Sequence, residues 1–186
     1  MNSVTFYFVR HGETEWNAKN LFQGHQDIPL NEKGQQQARD CIETIKTIEN
    51  SIFFSSPLTR AKTTAEIATG NKVITLIDDL KECNSPQGAK FILERKGITK
   101  MPNFEFLDPQ GESSNEFIER VQRGITQVFE QAGNKTPVVF AHGGTCAALC
   151  EIFNIQHFTT PNCEVFEFIK MANGYSVQSY KEKVNP

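Results

Sequence analysis

Arg10, His11 and Gly12 stand together at the end of an apolar run, Val4 to Val9, whose β-branched and aromatic residues predict a buried strand. Three later runs end in the same manner. Ile52-Phe53-Phe54 gives way to Ser55-Ser56 with Arg60 about one helical turn on, Val73 to Ile77 precedes Glu82, and Val138 to Ala141 precedes His142. These residue types suit phosphate chemistry. Two guanidiniums present forked donors that match phosphate oxygens and stay charged at any working pH. Two imidazoles offer either a nucleophile with an electrostatic partner or a pair of metal ligands, and Glu82 offers a proton. Taken alone, Arg10-His11-Gly12 reads better as a surface arginine beside a turn. Its repetition at other strand ends gives it weight, because ligands of open α/β sheets gather outside the carboxyl ends of the strands.

The groups converge only if the strands are parallel neighbours, so the connecting segments must be helices. Asn31 is placed to cap a helix in which Ala38, Cys41, Ile42, Ile45 and Ile48 recur at helical spacing. Pro57 suits a first helical turn, Leu58, Ala61, Ala65 and Ala68 mark one face, and Gly70 closes it. Ser113 and Glu116 form a capping box for a helix that turns Phe117, Val121, Ile125, Val128 and Phe129 inward, ending at Gly133. An apolar helix follows His142-Gly143-Gly144 and runs through Ile152. Asn173-Gly174 between two apolar stretches, 164–170 and 175–180, predicts a hairpin. The alternation implies an α/β three-layer sandwich with a mostly parallel central sheet, helices on both faces and an antiparallel edge strand. Residues 83–110 mix Gly, Pro and charge around a short helix at 89–96 and are expected to form a lid or insertion within one domain spanning 1–186.

Composition narrows the function. The net charge of the 186 residues is −3 and the basic residues are scattered, which argues against nucleic-acid or membrane-surface partners. No apolar run has the length of a bilayer span, and with no leader-like pattern ahead of the first strand no secretory signal is expected. Five irregularly spaced cysteines do not form a disulfide framework, so a cytoplasmic protein with reduced thiols is expected.

Several segments together resemble the histidine phosphatase superfamily, the phosphatases and cofactor-dependent phosphoglycerate mutases that share an Arg-His-Gly motif. They are Arg10-His11-Gly12-Glu13-Thr14 with Asn17, Gly24 and Asp27-Ile28-Pro29-Leu30, then Gly34 and Gln37-Ala38. Ser55-Ser56-Pro57-Leu58-Thr59-Arg60-Ala61 with Thr64-Ala65, Leu80 with Glu82, Gly111-Glu112-Ser113 and Ala141-His142-Gly143-Gly144 complete the order. The resemblance implies that His11 accepts the phosphoryl group as a phosphohistidine. It implies that Arg10, Arg60 and His142 surround the phosphoryl oxygens, with Asn17, Gly24 and Gly143 in the phosphate site, and that Glu82 protonates the leaving oxygen. No cofactor or metal is implied.

For His11 to attack, one ring nitrogen must be free and the other must donate to a fixed acceptor, such as a backbone carbonyl near Gly12. A protonated His142 would add to the positive charge around the phosphate. For Glu82 to hold a proton it needs burial or a neighbouring carboxylate, which Asp78, Asp79 or Glu112 can supply; its plainer alternative is a surface carboxylate paired with Lys81. The sequence after Glu82, Cys83-Asn84-Ser85-Pro86-Gln87-Gly88, departs from the family pattern, which continues with Glu-Gly. The Glu-Arg-x-Tyr-Gly segment of the mutases is also not seen. A phosphatase acting on a small phosphorylated metabolite is therefore expected, the alternatives being a phosphoglycerate mutase or a non-catalytic phosphoprotein-binding module.

Other residues invite weaker readings. His142, Cys146 and Cys150 share helical spacing and mix zinc-type ligands, yet the cysteines sit among Ala147, Ala148 and Leu149 as core residues do. Trp16 either walls the pocket or anchors the loop. His25 is a loop residue at the mouth of the site, and Phe91, Phe104 and Phe106 pack the insertion down or cover a substrate.

Overall fold

In the computed structural model, which describes residues 4–95, 97 and 107–180, the apolar runs become strands. These are β1 (Phe6–Arg10), β2 (Ser51–Ser55), β3 (Ile74–Leu76), β4 (Thr136–Ala141), β5 (Val165–Met171) and β6 (Gly174–Ser179). They form one sheet in the order β3-β2-β4-β1-β5-β6. The first four are parallel, while β5 runs antiparallel to β1 and β6 antiparallel to β5. The antiparallel edge is thus the hairpin that Asn173-Gly174 predicts.

Successive side chains of a strand point to opposite faces, and here both faces are apolar. Phe6 and Phe8 pack with Phe54, Val139 and the inner faces of α6 (Ser114–Ala132) and α7 (Gly143–Ile152). Tyr7 and Val9 pack with Phe53, Val138, Phe140 and the helices α2 (Glu32–Asp40), α3 (Ile42–Lys46) and α4 (Thr59–Thr69). Burial on both sides explains why the strands read as continuous apolar runs. The chain leaving β1 crosses to one face of the sheet, whereas the chain leaving its neighbour β4 enters α7 on the other. Neighbouring strands whose connections part in this way open a crevice at their carboxyl ends.

Local signals place most helix ends. Asn31 accepts the Gly34 N–H at 2.8 Å, and Ser113 and Glu116 make both bonds of their capping box. Other boundaries differ from expectation. The helix after Asn31 breaks at Cys41 into α2 and α3. Helix α4 starts at Thr59, because Asp27 accepts from the Thr59 N–H at 2.7 Å and its hydroxyl at 2.6 Å and so caps it from a distant loop. Strand β3 keeps only Ile74–Leu76, since Val73 lies at the sheet's edge with 90% of its surface exposed. A single 3₁₀ turn, Asp78–Leu80, follows it. In the expected insertion, helix α5 (Pro86–Arg95) begins earlier than residue 89, with Ser85 Oγ accepting the Gly88 N–H at 3.1 Å and Pro86 in the first turn. The proposed packing role of Phe91, Phe104 and Phe106 rests on side chains outside the described residues.

Candidate active site

Strand register brings the two histidines together. Arg10 lies opposite Ala141 in the β1–β4 pair, so His11 and His142 leave adjacent strand ends as neighbours, their ring centroids 5.2 Å apart. Strand β2 pairs Ser55 with Phe140, which sets the Ser56 hydroxyl 2.8 Å from His142 Nε2. The His11 Nδ1–H donates to the Gly12 carbonyl at 2.7 Å. A carbonyl only accepts, so the proton is fixed on Nδ1 and Nε2 keeps its lone pair in the neutral ring. The loop is held from several sides: Gly12 N–H donates to Thr64 Oγ1 at 3.0 Å, and Asn162 Nδ2 donates to the His11 carbonyl at 2.7 Å. Gly12 and Gly34 meet backbone to backbone, where a Cβ on Gly12 would lie 2.4 Å from the Gly34 carbonyl oxygen.

The arginines are braced by carbonyls. Arg10 Nη1 donates to Thr160 O at 2.7 Å, and Arg60 donates through Nη1 to Gln26 O at 2.9 Å and through Nη2 to Gly24 O at 2.8 Å. Burial lowers the pKa of both, that of Arg60 to about 10, which leaves it charged at neutral pH. Arg10 Nε, Arg60 Nε and His142 Nδ1 are buried without a protein partner. Buried polar atoms are rarely left so, and an oxyanion is a natural partner for the two guanidinium nitrogens. Burial first, and the guanidinium charges of Arg60 and Arg10 with it, push the pKa of His11 and His142 well below the ordinary histidine value. Both shifts favour the neutral ring and oppose the protonated His142 that the sequence reading allows.

These groups open onto a cleft of about 160 Å³ lined by Arg10, His11, Asn17, Arg60, Glu82, Gly143 and Gly144. A short helix missed by sequence reading, α1 (Glu15–Ala18), is capped by Thr14, and Asn17 Oδ1 accepts the Thr14 N–H and hydroxyl at 3.2 Å each. The amide end of Asn17 is thereby the one offered to the cleft. Gly24 stands behind Arg60 in a left-handed conformation, φ +52°, where a side chain would meet Leu107 and Asn84. Sequence reading also missed Leu21, Phe22, Gln23 and Leu93 in the cleft wall. Gln23 is buried, and its Oε1 has no protein partner. The signal available was its position beside Gly24. Trp16 is not among the lining residues.

Glu82 reaches the cleft from the segment after β3 and is 8% exposed, which rules out the surface pairing with Lys81. Lys81 pairs with Asp78 instead. The Glu82 carboxylate accepts the Cys83 N–H at 2.9 Å and the Gly144 N–H, in the first turn of α7, at 3.0 Å. Asp79 faces Gln127 and Arg123, and Glu112 pairs with Arg120, so none of the three neighbouring acids serves as the carboxylate partner expected for Glu82. The His25 Nε2–H donates to the Glu82 carbonyl at 2.9 Å. Cys146 and Cys150 are buried core residues, and among the described residues no cluster of His, Cys, Asp and Glu is arranged to hold a metal. Among them, too, no helix is long and apolar enough to cross a membrane.

Fold and site together define an α/β protein suited to holding a phosphoryl group at its parallel strand ends. The chain belongs to branch 1 of the histidine phosphatase superfamily, whose family pattern matches residues 6–182. It is 36% identical over 143 residues to the uncharacterized phosphatase PhoE of Bacillus subtilis, covering 76% of this chain and 72% of that protein. It is 34% identical over 153 residues to a probable phosphoglycerate mutase, GpmB, of Salmonella arizonae, covering 74% and 68% of the two chains. A mutant phosphoserine phosphatase of Entamoeba histolytica, solved in complex with phosphoserine, superposes with a TM-score of 0.74 at 26% identity, covering 96% of this chain and 97% of that one. Family and relatives indicate phosphatase or mutase activity.

Proposed function

We propose that the protein is a metal-independent phosphomonoester hydrolase acting on a small phosphorylated metabolite in the cytoplasm. The observation that carries this reading is the His11 ring: its Nδ1–H is tied to Gly12 O, and its Nε2 is left as a nucleophile beside two buried guanidiniums. In the first step His11 Nε2 forms a bond to phosphorus as the ester P–O bond breaks. The leaving oxygen takes the electron pair and a proton from the Glu82 carboxyl. In the second step water attacks the phosphohistidine, the N–P bond breaks, and the Glu82 carboxylate takes the water's proton. Arg10 and Arg60 offset charge on the equatorial oxygens, with the Asn17 amide and the Gly143 region beside them, in a reaction governed by positioning and electrostatics. A phosphoryl dianion would also favour the protonated form of His142, opposing the arginines.

The test is release of phosphate from an aryl phosphate in the presence of chelator. Wild type is expected to turn over and His11→Ala to lose activity by at least about a thousandfold, as for loss of a covalent nucleophile. Equal rates would sink the mechanism.

The mutase reading draws on the GpmB relatives. Against it, the cations among the described lining residues are Arg10 and Arg60, both committed to the phosphoryl site, while Leu21, Phe22 and Leu93 make the rest of the wall partly apolar. With 3-phosphoglycerate and a bisphosphoglycerate primer, free phosphate is expected and 2-phosphoglycerate is not.

A further inference from the structure

The Glu82 carboxylate is useful only if its backbone is held, and the sheet gives that segment little support, because β3 is an edge strand of three residues. The support comes from α6. The guanidinium of Arg120 donates through Nη1 to Asp79 O and Lys81 O, each at 3.0 Å, and through Nη2 to Glu82 O at 3.2 Å. Its Nε donates to Glu112 Oε2 at 2.8 Å, and Nη2 donates to Glu112 Oε1. A guanidinium has five N–H groups, and these five bonds use all of them. The cation also lies 5.0 Å from the centre of the Phe117 ring on its own helix. One turn on, Gly124 lets the helix close on the 3₁₀ turn, since a Cβ there would lie 3.1 Å from Asp79 Cβ and Leu80 Cδ2. Gln127 Nε2 extends the seam to Asp79 Oδ2 at 3.1 Å. The Glu112 carbonyl in turn accepts the hydroxyl of Ser85, which caps α5, the helix that brings Leu93 to the cleft.

We infer that Arg120 is a positioning residue for the proton transfer, setting the Glu82 carboxyl by gripping the backbone carbonyls of its segment, with Glu112 fixing the guanidinium's orientation. This inference rests on the reading of Glu82 as proton donor. Helix α6 also buries an apolar face of its own, Phe117, Val121, Ile125, Val128, Phe129 and Ala132, against the sheet. The role needs a planar fork, which lysine lacks: a lysine Nζ cannot span the carbonyls and pair bidentately with Glu112 at once.

The experiment compares an activated aryl phosphate, whose leaving group needs no proton, with an alkyl phosphate, whose leaving group does. Arg120→Lys, Arg120→Ala and Glu112→Gln are measured beside Glu82→Gln, with folding checked by thermal denaturation. For the Arg120 variants kcat/KM, which reports transfer to His11 and not the later hydrolysis in which Glu82 also acts, should fall by about tenfold to a hundredfold on the alkyl ester and stay within about threefold of wild type on the aryl ester, a part of the usual general-acid contribution. Glu112→Gln, which keeps the shape and needs no lost arginine to fold, should show the same selectivity at smaller size. In the Glu82→Gln background, Arg120→Lys should add no selective loss, because a residue acting through Glu82 has nothing left to position. Equal losses on both esters, or none, while Glu82→Gln remains selective, would overturn the role of Arg120 alone. If Glu82→Gln is itself unselective, the proton-donor reading fails and the inference falls with it.

Discussion

His11 and His142 are buried imidazoles beside two guanidiniums, and their chemistry follows from which charge the site tolerates. A protonated ring would be desolvated and repelled, so both stay neutral in the folded chain well below the ordinary value of 6.5. In the unfolded chain both titrate near that value. Below it the unfolded chain binds protons that the folded chain refuses, so stability falls as the pH drops, by about 1.4 kcal/mol per pH unit for each ring. Stability is fully present above that pH and does not fall further on this account as the pH rises. Urea denaturation from about pH 7.5 down to about pH 5.5 measures the slope, and His11→Gln should make it shallower by about one proton's worth. An unchanged slope in that variant would remove His11 from the effect. The same neutrality keeps Nε2 able to attack in mildly acidic solution.

Helices reach the site through close backbone approaches and borrowed caps. Gly34, in the first turn of α2, sits against the backbone of Glu13, where a Cβ would lie 2.0 Å from the Glu13 carbonyl oxygen. Gly34→Ala should therefore push α2 off the loop that carries His11, costing about 1–3 kcal/mol as overpacking does, together with a fall in kcat. Thermal denaturation and steady-state kinetics read the two effects, and a neutral substitution would mean that the loop yields easily. Asp27→Ala removes the cap of α4 and should cost about 1 kcal/mol. It should also raise KM, since Gly24 and Gln26 of the same loop hold Arg60. A KM equal to wild type would separate the cap from the arginine.

These cases mark what a sequence can carry. Asn31 with Gly34, Ser113 with Glu116 and Asn173-Gly174 were readable because each signal and its partner lie within one turn of chain. Strand ends bearing Arg10, Arg60, Glu82 and His142 were readable because polar residues abruptly follow apolar ones. Asp27 as a cap for Thr59 was not, nor was Arg120 as the brace of Glu82, because each partner arrives through tertiary packing. Val73 looked like strand interior, since an apolar residue at a sheet edge has the same spelling as one at its centre. Ser85-Pro86 was a local helix-start signal and was within reach.

Across the whole molecule, the cleft is assembled from segments far apart in the chain. Beyond the four strand ends, Thr160 O accepts from Arg10, Asn162 donates to the His11 carbonyl, and Cys163 N–H donates to the Arg10 carbonyl at 2.9 Å. Strand β4, late in the chain, is inserted between the two earlier strands β1 and β2. On the ribosome, then, β1 emerges before either of its partners, and β2 before any partner but the short edge strand β3. Nascent chains arrested before Thr136 has left the exit tunnel should stay protease-sensitive, and resistance should appear once residues through about 163 are free, with such long-range pairing making the step slow. Resistance in the shorter chains would mean that β1 and β2 find another arrangement first. Sheet order thus becomes a timetable in which the Arg-His-Gly motif is completed by a partner made 150 residues later.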